Sequence, residues 1–322
     1  IESRDFVEGQ GSIEEVPILE AYVNHVANDL SLGSRPLKLV VDGGNGTGGP
    51  PAVALLERLG VETIPMYIDM DGTFPNHHPD PTVTENLLPL IERVRAEGAD
   101  LGVAYDGDAD RIGVVDEQGE ILWGDRLMIV LSRALLRERP GAAIVGEVKC
   151  SRTLFDDIAA HGGRPVMGAV GHSIIKERML AEDAQLGGEM SGHIFYRHRW
   201  FGFDDAIYTT GRLLEILSHH DGPLSSMLTG VPETQVTPEI RLDCPDDKKF
   251  TVVQEAITHF QQGHSVNDID GARIDFPGGW GLIRASNTQP VLVLRAEAET
   301  PEQLAEIQRT LEGFVASRSA MC

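Results

Sequence analysis

Asp106, Asp108 and Asp110 stand at alternate positions directly after the apolar run Leu101-Gly-Val-Ala-Tyr105. Like charges this close repel, and a cation relieves them; ligands that are all oxygen favour magnesium or calcium over zinc. Magnesium also keeps positions open for water or a phosphate oxygen, so the loop points to phosphoryl chemistry. Three other readings compete. A solvated acidic turn needs no ion. An EF-hand would use Glu117, twelfth from Asp106, but its sixth position needs a turn glycine where Arg111 stands, and strands rather than helices flank the loop. A phosphoaspartyl phosphatase would use Asp106 itself as a nucleophile at a strand end.

A second polar loop, Gly188-Glu189-Met190-Ser191-Gly192-His193, holds a carboxylate, a hydroxyl and an imidazole among glycines that let a ligand approach the backbone. Vicinal sugar hydroxyls suit Glu189 and Ser191, and His193 is suited to hold or shuttle a proton. A turn with a histidine bonded to its own backbone would use the same residues. Arg284-Ala-Ser286-Asn287-Thr288-Gln-Pro could surround one dianion with a guanidinium, hydroxyls, an amide and N–H groups; a polar hairpin turn explains it as cheaply. Lys149 and His172 fall at strand-to-helix edges, where α/β sheets gather ligand sites, although either alone is as well read as structural.

Gly44-Asn-Gly46-Thr-Gly-Gly49 matches the dinucleotide pattern G-x-G-x-x-G, with Asp69 at about the distance of a ribose-binding acid. Pro50 and Pro51 remove N–H groups that would face a pyrophosphate, so a dinucleotide-binding protein using Gly44–Gly49 is a competing expectation, not the leading one. His77 and His78 are adjacent and project differently; their proline-rich segment reads as a rigid connector near the site rather than a metal pair.

These loops need a scaffold, and the apolar periodicity supplies one. A helix is expected from Val16 to Leu30, a buried strand Leu37-Lys-Leu-Val-Val41, then helix, strand, helix and the strand Leu101–Tyr105. A second βα-alternating unit follows, with helices from about Asp125 to Glu138, Arg152 to His161, Ser173 to Ala181 and Asp205 to His219. After Gly230 the order changes to a strand, a helix from Lys248 to Gln262, several short strands up to Ala298 and a helix from Pro301 to about Ala316. The fold class expected is α/β: two consecutive mixed-sheet domains followed by a small antiparallel α+β domain.

The 322 residues are 41% hydrophobic, enough to bury substantial cores. A formal charge of -23 repels nucleic acid and acidic membranes, so a phosphorylated ligand must meet a local cluster of cations and amides. Three cysteines without paired spacing argue against a disulfide framework and make the cytoplasm the default location. No apolar run reaches the roughly 18–20 residues that span a bilayer.

In order and spacing, VDGGNGTGG, FPNHHPDP, YDGDADRIGVVDEQG, VKCSRTLF, GHSIIKERM, GEMSGHIF, RWFGFDDAIY and RASNTQPVLVLRAEA resemble the α-D-phosphohexomutase family, in its bacterial phosphomannomutase/phosphoglucomutase branch, across essentially the whole chain. The resemblance implies that Asp106, Asp108 and Asp110 bind Mg²⁺ with Arg111 beside a phosphoserine, that Glu189 and Ser191 read sugar hydroxyls, and that His193 serves proton transfer. It implies that Lys149, His172, Arg284, Ser286, Asn287 and Thr288 hold the phosphate not being transferred. The activity implied is interconversion of hexose 1- and 6-phosphates of mannose or glucose through a hexose 1,6-bisphosphate. The domains expected are a linker remnant at 1–17, a metal-binding domain at 18–120, a sugar-binding domain at 121–232 and a phosphate-binding domain at 233–322. Two departures from the family pattern stand out: Ala109 replaces the more usual glycine in the metal loop, and the Ser-His-Asn-Pro phosphoserine segment is absent. Ser173 beside His172 does not replace it, lacking the nucleophile elbow. A missing N-terminal domain, and inactivity of this chain without it, are therefore expected.

Overall fold

The computed structural model describes residues 9–318. The first unit runs α1 (Leu19–Asp29), β1 (Lys38–Asp42), α2 (Gly49–Leu59), β2 (Glu62–Met66), α3 (Thr84–Glu97), β3 (Leu101–Tyr105), β4 (Ile112–Asp116) and β5 (Ile121–Leu122). Its sheet has the order β2-β1-β3-β4-β5, parallel through β3 and antiparallel beyond. Every residue of β3 is buried, as parallel strands covered on both faces require. Helix α2 tolerates Pro50 and Pro51 because the first turn has no intrahelical partner for their missing N–H groups.

The second unit comprises α4 (Gly124–Glu138), β6 (Ala143–Glu147), α5 (Arg152–Ala160), β7 (Arg164–Gly168), α6 (His172–Ala181), β8 (Leu186–Gly188), β9 (Ile194–Tyr196) and α7 (Ala206–Ser218). Its sheet order is β7-β6-β8-β9, with only β9 antiparallel. Helix α7 is buried along its whole length because it packs against α1, α2 and β4 of the first unit as well as α4 and β9 of its own. The two units consequently share one apolar core. Its ties reach the acidic loop: Ala206 N–H donates to the Ala109 carbonyl at 3.1 Å, and Tyr105 and Thr210 hydroxyls meet at 2.8 Å.

The third unit, with β10 (Gln235–Val236), β11 (Ile240–Asp243), α8 (Lys249–Phe260), β12 (Val266–Asn267), β13 (Ala272–Phe276), β14 (Gly279–Ala285), β15 (Val291–Ala298) and α9 (Pro301–Ala316), has an antiparallel sheet and its own core. It meets the second unit through Val148, Trp280 and Leu282 and through Arg273, buried and bonded to the Val148 and Cys150 carbonyls. The expected fold class is the observed one.

The first helix starts later than its apolar spacing suggests. Pro17 disfavours the helical conformation at Val16, and the helix begins at Leu19; Ile13 (96%), Val16 (67%) and Ile18 (70%) stay exposed instead of joining the core. Part of the expected linker, residues 1–8, lies outside the described residues. Of the cysteines, Cys150 is free and buried, and Cys322 lies outside the described residues. No described helix is long and apolar enough to cross a membrane.

Candidate active site

Strand β3 delivers Asp106 to the edge of its sheet, where the chain turns back into β4. Ligand oxygens of Asp106, Asp108 and Asp110 lie within 4.8 Å of one another. Asp106 is buried and accepts Arg111 N–H at 3.1 Å and Arg111 Nε at 2.7 Å; the same guanidinium reaches Asp80 at 3.1 Å. Burial lifts Asp110 to about 6, Asp106 and Asp108 adding to the rise while His193 opposes it. A divalent cation would remove that repulsion, and an all-oxygen donor set fits magnesium. Ala109 takes the left-handed conformation, φ 60°, that its family counterpart's glycine would adopt freely. Glu117 turns away to Ser225, accepting from its hydroxyl at 2.5 Å and its N–H at 3.2 Å, which removes the twelfth ligand an EF-hand needs.

The glycine run braces this loop. The N–H groups of Gly43, Gly44, Asn45, Gly46 and Thr47 donate in turn to Met66 O, Asp42 Oδ1, Tyr67 O, Gly43 O and Gly107 O, so these five are already spent within the fold. Asp69 gives its backbone carbonyl to Asn45. The dinucleotide expectation fails because the glycines serve close backbone approach: a Cβ on Gly46 would sit 2.6 Å from Gly107 O. Gly46→Ala should cost about 1–3 kcal/mol of stability, the range for overpacking, and should weaken metal binding in the same variant. Denaturant melts and a magnesium titration check both. His77 Nε2 pairs with buried Asp42 at 2.9 Å, and that hydrogen bond raises the imidazole pKa against its burial. It anchors the connector to the strand end at Asp42.

His193 enters from the second unit, its backbone bridging that of Arg111. Its Nδ1 lies 3.0 Å from Asp204 and 3.5 Å from Asp110, and these carboxylates raise its pKa despite the opposing burial. Asp204 also meets Lys176 at 3.1 Å; burial would lift it, but His193 and Lys176 hold it at about 2. His172 stacks on His193 with ring centroids 6.0 Å apart. Glu189 is buried, accepting Gly171 N–H at 2.7 Å and the Ser191 hydroxyl at 3.1 Å.

Between the three units opens a cleft of about 610 Å³ lined by Arg111, Lys149, Ser191, Glu239, Arg241 and Arg295, among others. Lys149 Nζ stands 3.5 Å from Glu239. Arg295 is buried and its Nε has no hydrogen-bond partner among the described residues. The turn Ser286-Asn287-Thr288 does not line this cleft; Ser286 Oγ accepts its own turn's Thr288 and Gln289 N–H groups. Buried Arg284 pairs with Asp270 at 3.1 Å, and Asp270 accepts Val170 N–H at 2.9 Å, beside the Gly171 N–H that Glu189 holds. Asp80, Asp204, Glu239, Arg241 and Arg295 escaped sequence reasoning. Asp80, Asp204 and Arg295 stand inside quoted motifs, but no local spacing ties them to Arg111, to His193 or to the cleft.

Three family models match: phosphoglucomutase/phosphomannomutase alpha/beta/alpha domain II at residues 20–119, alpha/beta/alpha domain III at 123–234 and the C-terminal domain at 239–313. A phosphomannomutase/phosphoglucomutase of Pseudomonas aeruginosa is 48% identical over 309 residues, covering 96% of this chain and 66% of that protein. A phosphoglucomutase of Neisseria meningitidis is 43% identical over 311 residues, covering 96% and 67%. A crystal structure of a phosphoglucomutase/phosphomannomutase family protein from Burkholderia thailandensis superposes with TM-score 0.91 at 42% identity, over 100% of this chain and 69% of that one. The chain thus spans slightly under two thirds of the length of the Pseudomonas relative.

Proposed function

The chain belongs to the phosphoglucomutase/phosphomannomutase family, and we propose that it carries the metal, sugar and distal-phosphate sites of a hexose phosphomutase. The observation that carries this reading is the meeting of three aspartates, His193 and a cation-lined cleft at one junction of the three units. Mg²⁺ on Asp106, Asp108 and Asp110 would offset charge on the transferring phosphoryl group. Glu189 and Ser191 orient sugar hydroxyls. Lys149, Arg241 and Arg295, with His172, Arg284, Ser286, Asn287 and Thr288, hold the phosphate that stays; bringing the Ser286–Thr288 turn to the cleft requires the third unit to close. His193, fixed by Asp204, accepts the proton of the attacking sugar hydroxyl. Each half reaction exchanges phosphate between a phosphoserine, outside the residues matched here, and the hexose, through a hexose 1,6-bisphosphate.

Saturation-transfer NMR with Mg²⁺ should show contacts to mannose 1-phosphate and glucose 6-phosphate, lost on Lys149→Ala with Arg295→Ala, and none to NAD. Binding of NAD without hexose phosphate would overturn the proposal.

A further inference from the structure

We infer that Glu147 is a positioning residue that sets the Lys149 turn and the Glu189–Ser191 loop as one unit. Pairing between β6 and β8 ends at Gly146 opposite Gly188. Glu147 is the next residue, fully buried, and its carboxylate continues the cross-link where the ladder stops. One oxygen accepts Lys149 N–H at 2.6 Å; the other accepts Met190 N–H at 3.3 Å, with Lys149 Nζ 4.0 Å away. The two oxygens therefore hold two different loops, and both loops line the cleft through Lys149, Met190 and Ser191. From the other side, Arg273 of the third unit binds the carbonyls of Val148 and Cys150, flanking Lys149, while stacking on Trp280 at 3.7 Å. A buried carboxylate is costly, and an apolar residue would fill the space more cheaply. The geometry assigns the return: a phosphate-facing ammonium and a sugar-facing hydroxyl kept in fixed relation.

This inference rests on the hexose-phosphate reading, and the experiment separates the two. Glu147→Gln keeps the shape but offers one acceptor, its NH₂ facing an N–H group. It should weaken glucose 1-phosphate binding about tenfold by calorimetry, the loss expected of a charged hydrogen bond. In a Lys149→Ala/Ser191→Ala background the same change should alter binding less than about twofold, because the groups it places are gone. Full affinity in Glu147→Gln, or a tenfold loss that persists in that background, overturns the inference. If Glu147→Gln does not fold, Glu147→Asp, which withdraws the carboxylate by one methylene, should weaken binding in the wild-type background only; wild-type affinity overturns it. Hydrogen exchange supplies the independent readout: Lys149 and Met190 amides should be protected in the wild type and freed in Glu147→Gln. Protected amides with no hexose-phosphate binding sink the reading and leave the cross-link standing, whereas binding with unprotected amides sinks the inference alone.

Discussion

Titration of magnesium chloride into the chain should give one binding event per molecule, weakened about a hundredfold by Asp108→Asn, or about 2.7 kcal/mol. Asp108 is the informative position because it is exposed and, among the described residues, holds no hydrogen bond or ion pair that the substitution would break. Asp106→Asn would confound the measurement, since Asp106 also holds the Arg111 guanidinium and N–H. A six-coordinate ion that keeps several waters depends heavily on each charged ligand. Unchanged affinity in Asp108→Asn would remove the metal assignment. A strong calcium preference sensitive to Glu117→Gln would restore the EF-hand, against the bonds that Glu117 makes to Ser225.

The larger effect concerns turnover. A protein of these 322 residues should convert mannose 1-phosphate to mannose 6-phosphate at less than about 10⁻⁴ of the rate reached when a polypeptide supplying the family's phosphoserine is added in trans or joined in cis. Metal and phosphate sites can position a substrate, but a phosphorylated nucleophile must make the first transfer. Ser191, the serine that lines the cleft, is spent otherwise: its Oγ donates to Glu189. Binding should change far less than turnover, because the proposed sugar and distal-phosphate contacts lie on these residues. The assay uses Mg²⁺ and a trace of hexose 1,6-bisphosphate. Robust turnover by the rigorously purified chain, abolished by Asp106→Asn, would identify Asp106 as a phosphoaspartyl nucleophile instead.

The parts of the site written locally were legible. Three aspartates at alternate positions after a buried strand mark a candidate cation loop without any tertiary information, and Glu189 with Ser191 lies within one short loop. What sequence could not supply was approach between distant segments. Asp204 reaches His193 because Phe195 and Asp204 bridge across a loop, and the glycine run was ambiguous until Thr47 N–H was seen spent on Gly107 O. At α1, apolar spacing extends the helix to Val16, whereas Pro17 disfavours a helical Val16 and the helix starts at Leu19. Helix α7 was expected, but its packing between α1, α2 and β4 on one side and α4 and β9 on the other rests on tertiary contacts that local periodicity does not report.

That helix has a consequence for synthesis on the ribosome. The first sheet is fully translated at Leu122, but the helix that closes its core and bonds to Ala109 ends at Ser218. About a hundred residues separate the two, so at roughly 5–20 residues per second the nascent acidic loop waits some 5–20 seconds for its last wall. During that interval Tyr105, which meets Thr210 of this helix, and the faces of α2 and β4 that pack on it lack their cover, and a stalled or clipped chain ending before Ala206 should be a target for chaperones rather than a smaller working unit. The gene segment encoding the metal loop is therefore not a portable module: grafted elsewhere, it would have to bring α7 with it.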